Sequence, residues 1–167
     1  GLGDVYKRQV VDVFNALDGD GAFSPERAGG VPNGELVRLC YSGKYTEKEM
    51  IKQLVGKAGF NAYCGSNDAR DIEAMAKNGD KHAQLVFDAF LYQVSKDIGA
   101  QAAVLSGKVD QIILTGGIAY GKYATEEITK RVQFIAPVTV YGGEDELLAL
   151  AQGALRVLNG EEEAKVY

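Results

Sequence analysis

Residues 109–121 read VDQIILTGGIAYG. The run is aliphatic and β-branched as far as Leu114, then breaks at Thr115-Gly116-Gly117, which predicts a strand over Val109–Leu114. Beyond it Thr125 to about Arg131 is helical in pattern, Val138–Tyr141 is a second short strand, and Glu144–Leu158 is a helix whose acidic first turn suits the helix dipole. Strand and helix in alternation predict an α/β layer with at least one parallel strand pair. In such sheets ligands bind beyond the carboxyl ends of strands, where a glycine lets them reach the backbone. Gly116 and Gly117 are therefore candidate nucleotide contacts. The stretch is neither GxGxxG nor a Walker A sequence, and a plain tight turn is the other reading.

Upstream, apolar residues at Ala83, Val86, Phe87, Phe90, Leu91, Val94, Ile98, Ala102 and Leu105 recur at helical spacing, so a long helix with a buried face is predicted from Asp80 to about Leu105. Thr46-x-x-Glu49 is a capping box that opens a helix at about Glu47–Val55, and a shorter helix precedes it over Gly34–Tyr41. Ser66-Asn67-Asp68 starts another. Val10–Phe14 reads as a strand, and Asn15–Gly34, rich in glycine and holding Pro25 and Pro32, reads as a long structured loop of the kind that serves a site.

Composition narrows the function classes. The chain has 167 residues, enough for one domain with a real core, and 46% apolar with 25% charged residues is the balance of a globular protein. A net charge of -5 leaves no basic excess for a nucleic-acid backbone. Cys40 and Cys64 stand far apart without CxxC spacing, so neither a disulfide framework nor a zinc site is suggested and a reduced, cytoplasmic location fits. No apolar run reaches the roughly 18 to 20 residues a membrane span needs.

Three polar segments remain, each with two readings. In Gly65-Ser66-Asn67-Asp68-Ala69-Arg70 the polar residues cap a helix, or Asp68 and Arg70 frame a ligand, with Arg70 as a planar stacking or phosphate-facing group. In Phe23-Ser24-Pro25-Glu26-Arg27-Ala28-Gly29-Gly30 the Ser-Pro-Glu run starts a short helix, or the loop holds Arg27 against developing phosphoryl charge. In Gly142-Gly143-Glu144-Asp145-Glu146 the acids serve the dipole, or one of them holds magnesium through water. His82, the single histidine, is a surface residue without a catalytic partner.

Taken in order, DVFNALDGDGAFSPERAGGVP, GKYTEKEM, GSNDARDIEAM, VDQIILTGGIAY and FIAPVTVYGGEDELLALAQGALRVL resemble the butyrate kinases of the acetate kinase family over nearly all of the chain from Val11 to Leu158. The resemblance implies an actin-like ATPase fold, related to ribonuclease H, with a mixed sheet flanked by helices. Residues 10–160 would be its C-terminal, nucleotide-binding lobe and 161–167 a flexible tail. It implies ATP or ADP with Mg²⁺ and transfer of a γ-phosphoryl group to butyrate, a branched acid such as isobutyrate or a non-catalytic nucleotide-binding role being the alternatives. It assigns Asp68, Ala69, Arg70, Gly116, Gly117, Ile118 and Ala119 to the adenosine, Arg27 to the transferred phosphoryl group, and Asp145 or Glu146 to magnesium. The family's glycine-rich phosphate loop and catalytic aspartate would lie upstream, on an N-terminal lobe that this chain lacks. The 167 residues alone would then be inactive, with an exposed apolar face toward that lobe, and the whole enzyme a homo-oligomer. Asp4–Gln9, DVYKRQ, looks like a translated sequencing-library adapter, which would make residues 1–9 a non-native segment, a genuine short strand entry being the other reading.

Overall fold

A computed structural model describes residues 3–6, 9–143 and 146–164. Its axis is a long helix, α5 (Lys81–Val104), whose N-cap Asp80 accepts hydrogen bonds from the backbone N–H groups of His82 and Ala83. The helical spacing read from the sequence is what turns Ala83, Val86, Phe87, Phe90, Leu91 and Ile98 inward. Before α5 come α1 (Asn33–Cys40), α2 (Glu47–Leu54), α3 (Gly59–Cys64) and α4 (Ala69–Lys77). The capping box of α2 forms as its residues dictate: the Thr46 side chain accepts from the Glu49 backbone N–H, and the Glu49 carboxylate accepts from that of Thr46 at 2.8 Å.

Four strands complete the fold among the described residues. β1 (Gly3–Tyr6) and β2 (Gln9–Val13) pair antiparallel with an irregularity at Asp4/Val5. β3 (Ile112–Gly116) pairs parallel with β4 (Val138–Gly142), Ile112 opposite Val138 and Gly116 opposite Gly142. Both pairing senses of the expected mixed sheet therefore occur, in two separate two-stranded sheets. Along β3 the side chains alternate, with Ile112 and Leu114 buried and Ile113 and Thr115 exposed, as strand geometry requires. The strand begins three residues later than its apolar run because Asp110 and Gln111 stay outside; the Gln111 amide instead donates to the Pro137 carbonyl at 3.1 Å. The crossover helix α6 (Lys122–Val132) and the terminal α7 (Glu146–Leu158) follow β3 and β4.

Phe23, Phe60, Phe87 and Phe90 meet edge to face, tilted or stacked, with ring centroids 5.2 to 6.3 Å apart, and join Ile72, Leu91, Ile112, Leu114, Ile128 and Val132 in one core. Phe60 belongs to α3, a helix the sequence does not announce: its N-cap Ala58 makes no side-chain cap bond, and it is six residues long. It forms because the aromatic core pulls Phe60 in, a tertiary cause that overrides weak local propensity.

Candidate functional site

The loop before α1 is fastened rather than free. Its backbone bonds to the α2–α3 segment: Ala28 N–H donates to the Leu54 carbonyl at 2.8 Å, Gly56 N–H to Glu26 at 2.7 Å, Phe60 N–H to Ser24 at 3.2 Å and Asn61 N–H to Pro25 at 2.9 Å. Arg27 also forms an isolated antiparallel bridge with Val55. No helix begins at Ser24-Pro25-Glu26, so the helix-start reading of that run gives way to the loop reading. Arg27 is half-buried, and its Nε is buried without a hydrogen-bond partner among the described residues. A guanidinium N–H left unpaired in such a place is costly unless an acceptor comes to it.

Across from this loop, β3 ends at Gly116, whose φ of +91° is open to glycine and strained for other residues. A short 3₁₀ turn, Gly117–Tyr120, carries the chain into α6. Nothing lies within 4 Å of where a Cβ on Gly117 would stand, so the backbone is bare there. On the facing side Asp68 caps α4, accepting from the Arg70 backbone N–H at 2.9 Å. The same carboxylate accepts from the Arg70 Nε at 2.9 Å and from Nη2. The capping and ligand-framing readings are therefore compatible: one carboxylate caps the helix and holds the guanidinium. The hydrogen bonds from Arg70, side chain first and backbone second, hold the Asp68 carboxyl down at about 2.

These two sides line one cleft of about 850 Å³ that gathers Asp68, Ala69, Arg70, Gly116, Gly117 and Ile118. Glu73, Tyr120 and Gly121 line it too, and the sequence reading did not single them out. Tyr120 lies inside the quoted glycine stretch, where its aromatic ring beside two glycines was the available signal. A smaller cavity of about 290 Å³ adjoins the cleft through Pro25, Thr115, Ile118 and Ala124, and Arg27 and Ala119 line it. The structure thus places Arg27 and Ala119 next to the cleft rather than in its wall. Behind the loop, burial pushes the Asp97 carboxyl up and nearby Asp20 adds to the effect, while the Ala22 N–H and Lys96 oppose it.

His82 is exposed, its Nε2 3.0 Å from the Tyr63 carbonyl oxygen, and Cys40 and Cys64 are free thiols. Among the described residues no group of three or more His, Cys, Asp or Glu could hold a metal ion. Asp145 and the Glu146 side chain lie outside the described residues. No helix of the described residues is long and apolar enough to cross a membrane.

The acetokinase family profile matches residues 20–163. Butyrate kinase 2 of Clostridium acetobutylicum is 62% identical over 159 residues, which is 95% of this chain and 45% of that protein. A probable butyrate kinase of Clostridium botulinum strain Alaska E43 is 58% identical over the same shares. Among solved structures, an acetate kinase of Porphyromonas gingivalis superposes with a TM-score of 0.74 at 25% identity, covering 83% of this chain and 41% of its own. A propionate kinase of Francisella tularensis gives 0.76 at 19% identity, covering 87% and 44%. These likenesses show the fold, the actin-like ATPase fold of the acetate kinases. The chain spans less than half the length of the curated relatives it matches.

Proposed function

The chain belongs to the acetokinase family, and from that premise we propose that it is the nucleotide-binding lobe of an ATP-dependent carboxylate kinase acting on butyrate. A butyrate carboxylate oxygen would bond to the γ-phosphorus of ATP as the bond to the β–γ bridging oxygen breaks, giving butyryl phosphate and ADP. The observation that carries the reading is the single cleft that unites Asp68-Ala69-Arg70 with Gly116-Gly117-Ile118, segments far apart in sequence. Its bare glycine backbone and its guanidinium suit a nucleoside, and Ala119 at the edge of the adjoining cavity completes the turn.

Arg27 is the residue of this chain assigned to the phosphoryl group. Its buried Nε, without a partner among the described residues, suits an incoming phosphate oxygen, and a guanidinium there stabilises the charge that develops during transfer. Magnesium would accompany the nucleotide phosphates, screening their charge, with Asp145 or Glu146 as the proposed acid. The exposed Leu147, Leu150, Leu155 and Leu158 of α7 support contact with a further lobe, and the assembly would be a homo-oligomer in the cytoplasm.

Phosphoryl transfer depends on holding donor and acceptor in line from both sides. Full-length enzyme supplied with butyrate and Mg-ATP should therefore yield butyryl phosphate, trapped as the hydroxamate, whereas the 167-residue chain should give none above a blank while still binding ADP in calorimetry. Failure of the full-length enzyme to phosphorylate butyrate while phosphorylating isobutyrate would move the substrate to the branched acid. Product from the 167 residues alone would overturn the division of labour between lobes.

A further inference from the structure

We propose that Tyr120 is the platform on which the base of the bound nucleotide stacks, an inference that rests on the seating of the nucleoside in the larger cleft. Tyr120 ends the turn Gly117–Tyr120 and lines that cleft together with Asp68 and Arg70. One side of its ring rests on the backbone at the end of β4. A Cβ on Gly142 would stand 2.8 Å from the ring's Cδ1, and one on Gly143 2.2 Å from its hydroxyl oxygen, distances no real side chain tolerates. The ring is thus seated on two glycines that are bare where it touches them. Tyr120 is nevertheless 74% exposed, so the ring stays open away from the glycines.

Exposure of one aromatic residue means little by itself. The weight comes from what shares the cavity. The Arg70 side chain is 89% exposed, yet its guanidinium is held by the Asp68 carboxylate. A seated aromatic ring and an oriented guanidinium plane, lining one cavity of about 850 Å³, are the two side-chain surfaces on which nucleobases stack. Stacking needs no hydrogen-bond code, and it strengthens with ring area, so the ligand class is a nucleoside with a planar heteroaromatic base, purine before pyrimidine.

The chain contains no tryptophan, so Tyr120→Trp installs a single fluorescent reporter in the 167-residue protein. Adenosine should quench it saturably. In calorimetry Tyr120→Ala should bind adenosine about ten-fold more weakly or worse, and Tyr120→Phe within about two-fold of the unsubstituted chain. Gly142→Ala, which displaces the ring without altering it, should also weaken adenosine. Unchanged affinity in Tyr120→Ala, while the unsubstituted chain binds, overturns the stacking assignment and leaves the nucleotide seat standing. If Tyr120→Ala melts early, the reporter decides: binding seen by calorimetry with no quenching overturns the assignment equally. Absence of adenosine binding by the unsubstituted chain overturns both the seat and the platform.

Discussion

The carboxylate of Asp68 holds Arg70 at two levels at once, accepting from its backbone N–H and from its guanidinium Nε, each at 2.9 Å. The first bond caps α4; the second fixes the direction of a side chain otherwise open to solvent. Because these bonds favour the charged form, the folded pKa of Asp68 lies below its unfolded value, at about 2. Its contribution is therefore complete above the ordinary carboxylate range and is lost only as pH falls through about 2. A carboxyl-detected NMR titration should find Asp68 midway near that value, and a midpoint in the ordinary range would show the grip is absent in solution. Asp68→Asn keeps a capping oxygen but not the charge, so it should weaken ADP binding while barely moving the melting temperature.

Arg27 should govern rate rather than binding. Its Nε bonds to nothing among the described residues, so its replacement removes no internal hydrogen bond from that atom. In the full-length enzyme Arg27→Ala should lower kcat by roughly a hundred-fold or more, since a positioned guanidinium acts mainly on developing phosphoryl charge. The Kd of the 167-residue chain for ADP should stay within about two-fold, because the nucleoside seat is the adjoining cleft. A variant with near-normal kcat would remove Arg27 from the chemistry.

Gly59 should prove intolerant. Its φ is +59°, and a Cβ there would come within 1.7 Å of the Ser24 carbonyl oxygen, which itself accepts from the Phe60 N–H. Gly59→Ala should cost on the order of 2 to 4 kcal/mol in urea denaturation, through the strained dihedral and the displaced loop together. The variant should also lose kcat in the full-length enzyme, because that loop carries Arg27. A stability unchanged within about 0.5 kcal/mol would mean the loop does not pack here as described.

Much of the chain is legible locally because its causes are local. Thr46 and Glu49 announce α2 three residues apart, Asp80 and the apolar spacing announce α5, and the aliphatic run to Leu114 announces β3. Elements whose causes lie elsewhere are not. α3 depends on Phe60 entering a core built with Phe23, Phe87 and Phe90, and α6 begins at Lys122, three residues before its polar-apolar pattern becomes clear at Thr125. Neighbouring residues carry no sign of α3, and of α6 they announce the body but not the first turn.

The amino-acid sequence by itself determined the α/β alternation, the helix caps, the acidic balance of the chain and, through five ordered segments, the kinase family. Those are properties of residues within a few positions of one another or of the chain as a sum. Only the tertiary structure decided that Asp68-Ala69-Arg70 and Gly116-Gly117-Ile118 share a cleft, that Arg27 and Ala119 stand beside it, and that Tyr120 rests on Gly142 and Gly143. Such contacts join residues far apart along the chain, and they form only after the core has closed around α5, when backbone approaches that only glycine permits become the shape of the site.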